Sequence, residues 1–330
     1  MRVGIVGSGA WGTAMALHLH RAGVSVLLWS AHAERAEQLR QSRENGPLLP
    51  GVPIPPAIRI SSESADLADC AWWFVAVPTV HLRATVARLA EQFPPEAAAV
   101  SLTKGIEQTT FERPSQILGR LLRTERVAVL SGPSHAEEVA RGYPCSLVVA
   151  AEDQRLAESI QQTVNAGWLR VYTNSDVVGV ELAGALKNVI SIAAGISDGL
   201  GLGDNAKAAL LTRGLVEMAR FGVAHGAAAT TFQGLAGLGD LIATCTSRHS
   251  RNRQFGERIG RGERPEAILA GMAMVVEGYT TCVSAYQRAQ AMGLDMPITA
   301  AVYRVLYQGA TPQTELEGLM HRRPRSEQWW

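Results

Sequence analysis

The sequence predicts an α/β protein: an N-terminal Rossmann-like, doubly wound sheet over residues 1–176, then an all-helical domain over residues 177–330. Three observations predict it. The first half alternates short β-rich runs with helical patterns, which makes parallel βαβ crossovers the economical topology. A glycine string, Gly7-Ser8-Gly9-Ala10-Trp11-Gly12, follows the first run and opens the first helical pattern. Beyond about Asp176 few β-branched clusters remain, and the segments fit helical periods with glycines near their ends. At 330 residues the chain is longer than one core usually serves, and 47% hydrophobic residues suffice for two.

Taken in order, strands are expected at residues 2–6, 25–29, 71–77, 98–102, 127–131, 145–150 and 169–173. These runs lack strict apolar/polar alternation, as befits a sheet covered on both faces. Helices are expected from about Trp11 and around residues 34–41, and GPLLPGVPIPP (46–56) punctuates this half, because its prolines suit neither a helix nor a central strand. In the second half, VVGVELAGALKNVISIAAGI, NAKAALLTRGLVEMARFGVAHG, RNRQFGERIG, EAILAGM and VSAYQRAQAMG all read as helices. The tail HRRPRSEQWW is expected to be a poorly ordered or docked terminus. No internal repeat is evident.

Composition narrows the function. Lys plus Arg number 31 against 30 Asp plus Glu, so the net charge is +1 and supplies no general field for nucleic acid or anionic lipid. Any anion site must be local. Cys70, Cys145, Cys245 and Cys282 are far apart, which suits reduced thiols in a cytoplasmic protein better than zinc or a redox pair. The histidines show no metal-ligand spacing, so no metal is expected. No signal-peptide core precedes the first strand. The apolar stretch 177–196 carries Glu181 and Lys187, which argues against a membrane span.

In the glycine string, Gly7 permits a tight turn, Gly9 lets backbone amides approach a pyrophosphate, and Gly12 allows the helix to pack on the strand. The anion would sit on the helix N-terminus, at Ala10 and Trp11, where unpaired N–H groups and the dipole favour negative charge. An ordinary glycine-rich turn is the plain alternative. The end of the second strand reads Trp29-Ser30-Ala31-His32, with no acid before Glu34 to hold a ribose 2′-hydroxyl. That leaves NADP permitted, with His32 or Arg35 as its partner or as a solvated surface charge, and NAD not excluded.

Lys187 interrupts an apolar helix in nearly every register. It is either a snorkelling surface lysine or, as its flanks favour, a cleft lysine brought toward acid/base competence by burial. Asn188 beside it could hold a substrate hydroxyl. Asp240, after Gly237-Leu238-Gly239, could bond the lysine or the substrate, or simply cap a helix.

These residues lie in segments that resemble the bacterial NAD(P)-dependent sn-glycerol-3-phosphate dehydrogenases nearly end to end. The match runs through GSGAWGT, LPGVPIP, VAVPT, TKGIE, SGPSHAEEVA, ELAGALKNVISIAAGISDGLGLGDNAKAALLTRG, GLAGLGDLIATCTSRHSRNRQFG, VVEGYTT and MPIT. The chain departs from the family at His135 and Glu137, and at Ser30-Ala31, where an arginine or histidine is usual. The last change bears on cofactor preference.

The resemblance implies reversible hydride transfer between NAD(P)H and glycerone phosphate, giving sn-glycerol 3-phosphate for phospholipid synthesis in a cytoplasmic homodimer. It implies Lys187 as proton acceptor and donor. Lys104, after the fifth strand, would polarise the carbonyl, help set the charge on Lys187 and reach the cofactor. Asp240 would bond a lysine or the substrate. Gly132 and Ser134 would give an amide and a hydroxyl to substrate, and Ala136 would lie beside the cofactor. Ser250, Arg251 and Asn252 would bind the substrate phosphate at a helix start, with Arg253 and Arg258 better suited to a solvated face. Arg251, Val275 and Glu277 would also meet the nucleotide. The rivals are a β-hydroxy-acid dehydrogenase of the same plan and a non-catalytic dinucleotide sensor.

Overall fold

The computed structural model describes residues 1–272, 274–324, 326 and 327. The β-rich runs and the helices between them follow in the order β1 (Arg2–Val6), α1 (Ala10–Arg21), β2 (Ser25–Trp29), α2 (Ala33–Ser42), β3 (Arg59–Ser61), β4 (Trp72–Val75), α3 (Thr79–Leu89), β5 (Ala98–Ser101), α4 (Pro114–Leu122), β6 (Val127–Ser131), α5 (Ala136–Ala140), β7 (Cys145–Ala151), α6 (Gln154–Val164) and β8 (Leu169–Asn174). They form one eight-stranded sheet of order β3-β2-β1-β4-β5-β6-β7-β8. The order reverses beside β1, so the cleft opens between the carboxyl ends of β1 and β4, as in doubly wound dinucleotide folds. Strands β1, β4 and β5 are almost wholly buried, which explains their unalternating apolar sequence.

Two features depart from expectation. β7 runs antiparallel to β6, with Leu130 opposite Val149, whereas parallel crossovers were expected throughout. The connection carries only the five-residue α5, too little helix to return the chain to the other end of the sheet. β3 was missed because it has three residues, bonded to β2 at the sheet's edge.

After β8 the described elements are helical: α7 (Val177–Gly199), α8 (Gly203–Ala224), α9 (Asp240–Thr246), α10 (Arg251–Gly260), α11 (Pro265–Ala270), α12 (Glu277–Ala291), α13 (Pro297–Tyr307) and α14 (Pro312–Met320). Asp176 starts α7 by accepting a hydrogen bond from the Gly179 amide, 2.8 Å. α7 is long and apolar enough to cross a membrane, but 94% of its most apolar window is buried inside the protein. One flank of α7, with Ala183 and Leu186, joins Val129, Val148 and Ala150 of the sheet in one core, so the helical half is seated directly on β6 and β7. Another flank takes α10: a Cβ on Gly195 would lie 2.0 Å from the Arg253 carbonyl oxygen, so the helices cross at backbone contact.

The expectation for the C-terminal tail lies partly outside the described residues, which include Arg322 paired with Asp295 at 2.7 Å. The four cysteines are free thiols, three of them buried.

Candidate active site

The glycine turn is built by steric necessity. Gly7 has φ 116°, and a Cβ there would lie 2.6 Å from the Ala76 carbonyl oxygen. A Cβ on Gly12 would sit 1.9 Å from the Gly7 oxygen, so α1 approaches β1 only without a side chain. Gly9 is different, because a Cβ there would meet no protein atom within 4 Å. A Cβ at Gly9 would enter open space, and that space fits a group from outside the chain. Gly9 is also the residue before α1 and brings no side-chain cap, which leaves the first amides of Ala10 and Trp11 available to an anion. The indole Nε1 of Trp11 is buried without a hydrogen-bond partner among the described residues. A pyrophosphate fits this cradle.

At the end of β2, Ser30 is buried and accepts a hydrogen bond from Ser8 Oγ, 2.9 Å. His32 is exposed and immediately precedes α2. Glu34 also faces solvent, so no carboxylate closes this strand end.

Across the carboxyl ends of β5 and β6, three ionisable groups converge. Lys187, at the middle of α7, is 5% exposed. Its Nζ donates to Asp240 Oδ1 at 3.0 Å and to Thr244 Oγ1 at 2.6 Å. Lys104, on the loop after β5, donates to Asp240 Oδ2 at 2.7 Å and to the Gly132 carbonyl at 2.9 Å. One carboxylate thus bridges two ammonium groups. Ser134 Oγ also donates to the Gly132 oxygen, 2.9 Å. The φ of Gly132, +126°, makes that turn.

The electrostatics follow from burial. Desolvation pushes Lys187 down to about 8; the charge of Lys104 adds to the fall and Asp240 opposes it. Burial raises Asp240, but the two lysines prevail and hold its carboxyl below the usual range. The simple capping role for Asp240 is not what the geometry shows, because its carboxylate oxygens go to the lysines and the α9 start has no side-chain cap.

The Ser250-Arg251-Asn252 triplet opens α10 as expected, with Ser250 as its cap, accepting from the Arg253 amide at 3.2 Å. Ser250 Oγ also meets Ser191 Oγ at 3.2 Å. Asn252 donates to Asn188 Oδ1 at 2.9 Å and accepts from the Gly278 amide at 2.9 Å. Asn188 in turn donates to the Lys104 carbonyl, 3.1 Å, so its carboxamide joins α7 to the loop after β5. Arg251 is half-buried and donates one N–H to the Val275 carbonyl at 2.9 Å. Burial draws this guanidinium down while Glu277 and Glu137 oppose, and it remains a cation. Arg258 lies on a solvated face with Glu263, as expected. Arg253 does not: it is packed against Asp198 at 2.6 Å and Glu257 at 3.0 Å.

Glu277 opens α12 as a buried carboxylate. Its Oε1 accepts from the Thr79 amide, 3.0 Å, while Oε2 has no hydrogen-bond partner among the described residues. Burial holds its pKa up, against the Thr79 bonds and Arg251. Across the cleft, Ala136 is the first residue of α5, and His135 before it reaches the Ala243 carbonyl at 3.2 Å. Sequence reasoning passed over Thr244 and Thr79. The signal for Thr244 was its position four residues after Asp240, on the same helix face.

An anion cradle at the carboxyl ends of parallel strands, with a buried lysine–carboxylate–lysine bridge beside it, defines a nicotinamide-dinucleotide oxidoreductase. Residues 2–157 match the family model for the NAD-dependent glycerol-3-phosphate dehydrogenase N-terminus, and residues 176–317 that for the C-terminus. The chain belongs to the NAD-dependent glycerol-3-phosphate dehydrogenase family, and it uses NAD or NADP. It is 46% identical to a glycerol-3-phosphate dehydrogenase, NAD(P)+, of Salinibacter ruber, covering 98% of this chain and 96% of the relative. It is also 46% identical to that of Geobacillus thermodenitrificans, covering 98% and 95%. The crystal structure of glycerol-3-phosphate dehydrogenase from Coxiella burnetii superposes with a TM-score of 0.93 at 34% identity, covering 97% of this chain and 99% of that one. A D-mandelate dehydrogenase shares the fold alone, at a TM-score of 0.63 and 12% identity.

Proposed function

We propose that the two lysines and their shared carboxylate carry the proton chemistry of reversible hydride transfer between NAD(P)H and glycerone phosphate, which gives sn-glycerol 3-phosphate. The observation that carries this reading is Asp240 bridging Lys187 and Lys104. Lys187 acts as donor when the ketone is reduced: C2 gains a hydride, its oxygen takes the proton from Nζ, and a secondary alcohol results. In oxidation the neutral amine takes that proton back, which a lysine near pH 8 can do at little cost. Lys104 polarises the C2 oxygen, and its charge disfavours the ammonium on Lys187. Asp240 holds both amines in register.

The dinucleotide, when bound, supplies or accepts the hydride at its nicotinamide. Gly7, Gly9, Ala10, Trp11 and Gly12 would hold its pyrophosphate. His32 would lie at the ribose, and Lys104, Ala136, Arg251, Val275 and Glu277 along the rest of the cleft. Arg251 is the group suited to the substrate phosphate, because among the described residues its fork bonds only the Val275 carbonyl, and guanidinium pairs bidentately with phosphate oxygens. Gly132 and Ser134 serve the three-carbon unit. Ser250 and Asn252 support the phosphate site by fixing the start of α10 and also serve it directly.

We further propose a dinucleotide domain over residues 1–176 and a substrate domain over 177–330, a cytoplasmic homodimer without membrane insertion or nucleic-acid contact, and a product committed to phospholipid backbones. The test is steady-state turnover of NADPH and NADH, at equal concentrations, with glycerone phosphate and with 3-keto acids. Turnover of glycerone phosphate alone is expected. Turnover of a keto acid in its place would transfer the assignment to the β-hydroxy-acid rival.

A further inference from the structure

The proline-rich segment after α2 does more than punctuate. Arg43 ends α2 in the left-handed region, φ 49°, and turns the chain so that Asn45 is fully buried beneath the glycine turn. Asn45 Nδ2 donates to the Ser8 carbonyl at 3.0 Å and to Thr13 Oγ1 at 2.8 Å. Its Oδ1 accepts from the Arg35 guanidinium. Its own carbonyl accepts from the amides of Leu48 and Leu49, at 3.0 and 2.7 Å, which closes the loop that seats Leu49 in the core. Every polar group of this side chain therefore serves the nucleotide end of the molecule.

The consequences are specific. The Ser8 carbonyl is held from the protein side by Asn45, and the Ser8 hydroxyl is tied to Ser30 at the end of β2. Such a turn keeps its N–H groups, not its oxygens, toward an anion. Arg35 lies on α2 just past His32, is partly buried, and has no carboxylate within ion-pair distance among the described residues. A cation balanced only by a neutral amide, beside a strand end without an acid, is arranged for an anionic ligand.

We propose that Asn45 is the positioning residue of the dinucleotide cradle, and that the Arg35 it holds selects a ribose 2′-phosphate. The inference deepens the cofactor placement proposed above and rests on it. The experiment is fluorescence titration of NADPH and of NADH into the full chain without substrate, for native protein, Asn45→Ala and Arg35→Gln. Asn45→Ala is expected to weaken both nucleotides about tenfold or more, since it orphans the Ser8 and Thr13 partners and frees Arg35. Arg35→Gln is expected to weaken NADPH about tenfold and to leave NADH unchanged. If Asn45→Ala loses its cooperative thermal transition, Thr13→Val, which removes one bond to the same amide, is read in its place with about threefold weaker binding of both. Native affinity in Asn45→Ala or in its substitute, or equal effects of Arg35→Gln on the two nucleotides, overturns the inference. Native protein that binds neither nucleotide would instead remove the cofactor placement itself.

Discussion

The two halves of the molecule handle charge by opposite means. The sheet half offers a pyrophosphate backbone amides, and its precision comes from side chains that are missing: a Cβ at Gly7 or Gly12 would strike backbone, and at Gly9 it would enter open space. The helical half works with side chains, the buried Lys187 and Asp240 and the half-buried Arg251, whose protonation and placement are costly to arrange. The contrast teaches why one half can bind and the other can react. Amides at a helix start keep a fixed dipole that suits holding a phosphate. A lysine drawn down to about 8 can change its proton near neutral pH.

If that division is right, the two halves should fail differently. The largest effect is expected for Lys187→Ala: kcat should fall by about 10³-fold, within the range for a lost general acid/base, while the NADPH dissociation constant stays native. Stopped-flow hydride transfer and fluorescence titration, run side by side, check it; joint loss of binding would erase the contrast. Next comes Gly9→Val, whose side chain would occupy the space left for the pyrophosphate. It should weaken both dinucleotides about 10²-fold in titration and leave the thermal transition intact, because a Cβ at this position meets no protein atom within 4 Å. Smaller again is Arg251→Ala, expected to raise the KM for glycerone phosphate about 10- to 100-fold with a lesser effect on kcat. An unchanged KM would take the substrate phosphate away from α10.

The legibility of these features followed their range along the chain. The glycine cradle is written in consecutive residues, and each constraint acts on the adjoining turn. Lys187 announced itself as a charge in an apolar helix, and the strand runs of the sheet were visible as buried β-branched clusters. The antiparallel β7 was not, because its direction depends on how little helix follows β6. Arg253 looked like a surface residue until its partners on α7 and α10 were in place. The bridge from Lys104 to Asp240 spans 136 positions, and the Asn45 contacts to Ser8 and Thr13 span 37 and 32. Such polar pairings leave no periodic trace. Asp240 was read from its place after a glycine turn, and the family resemblance supplied Lys104, but neither pointed to Thr244 or Asn45.

In the proposed mechanism Lys187 exchanges the substrate proton at a pKa set by burial and by Asp240. The most direct measurement is the single-turnover rate of sn-glycerol 3-phosphate oxidation across pH, in native protein and in Asp240→Asn. Oxidation needs the neutral amine, so the native rate should climb about tenfold per pH unit below about 8 and level off above it. Asp240 raises the lysine, so its neutralisation should move that climb to lower pH. A rate independent of pH, or a climb that stays in place or moves upward in Asp240→Asn, would contradict the account.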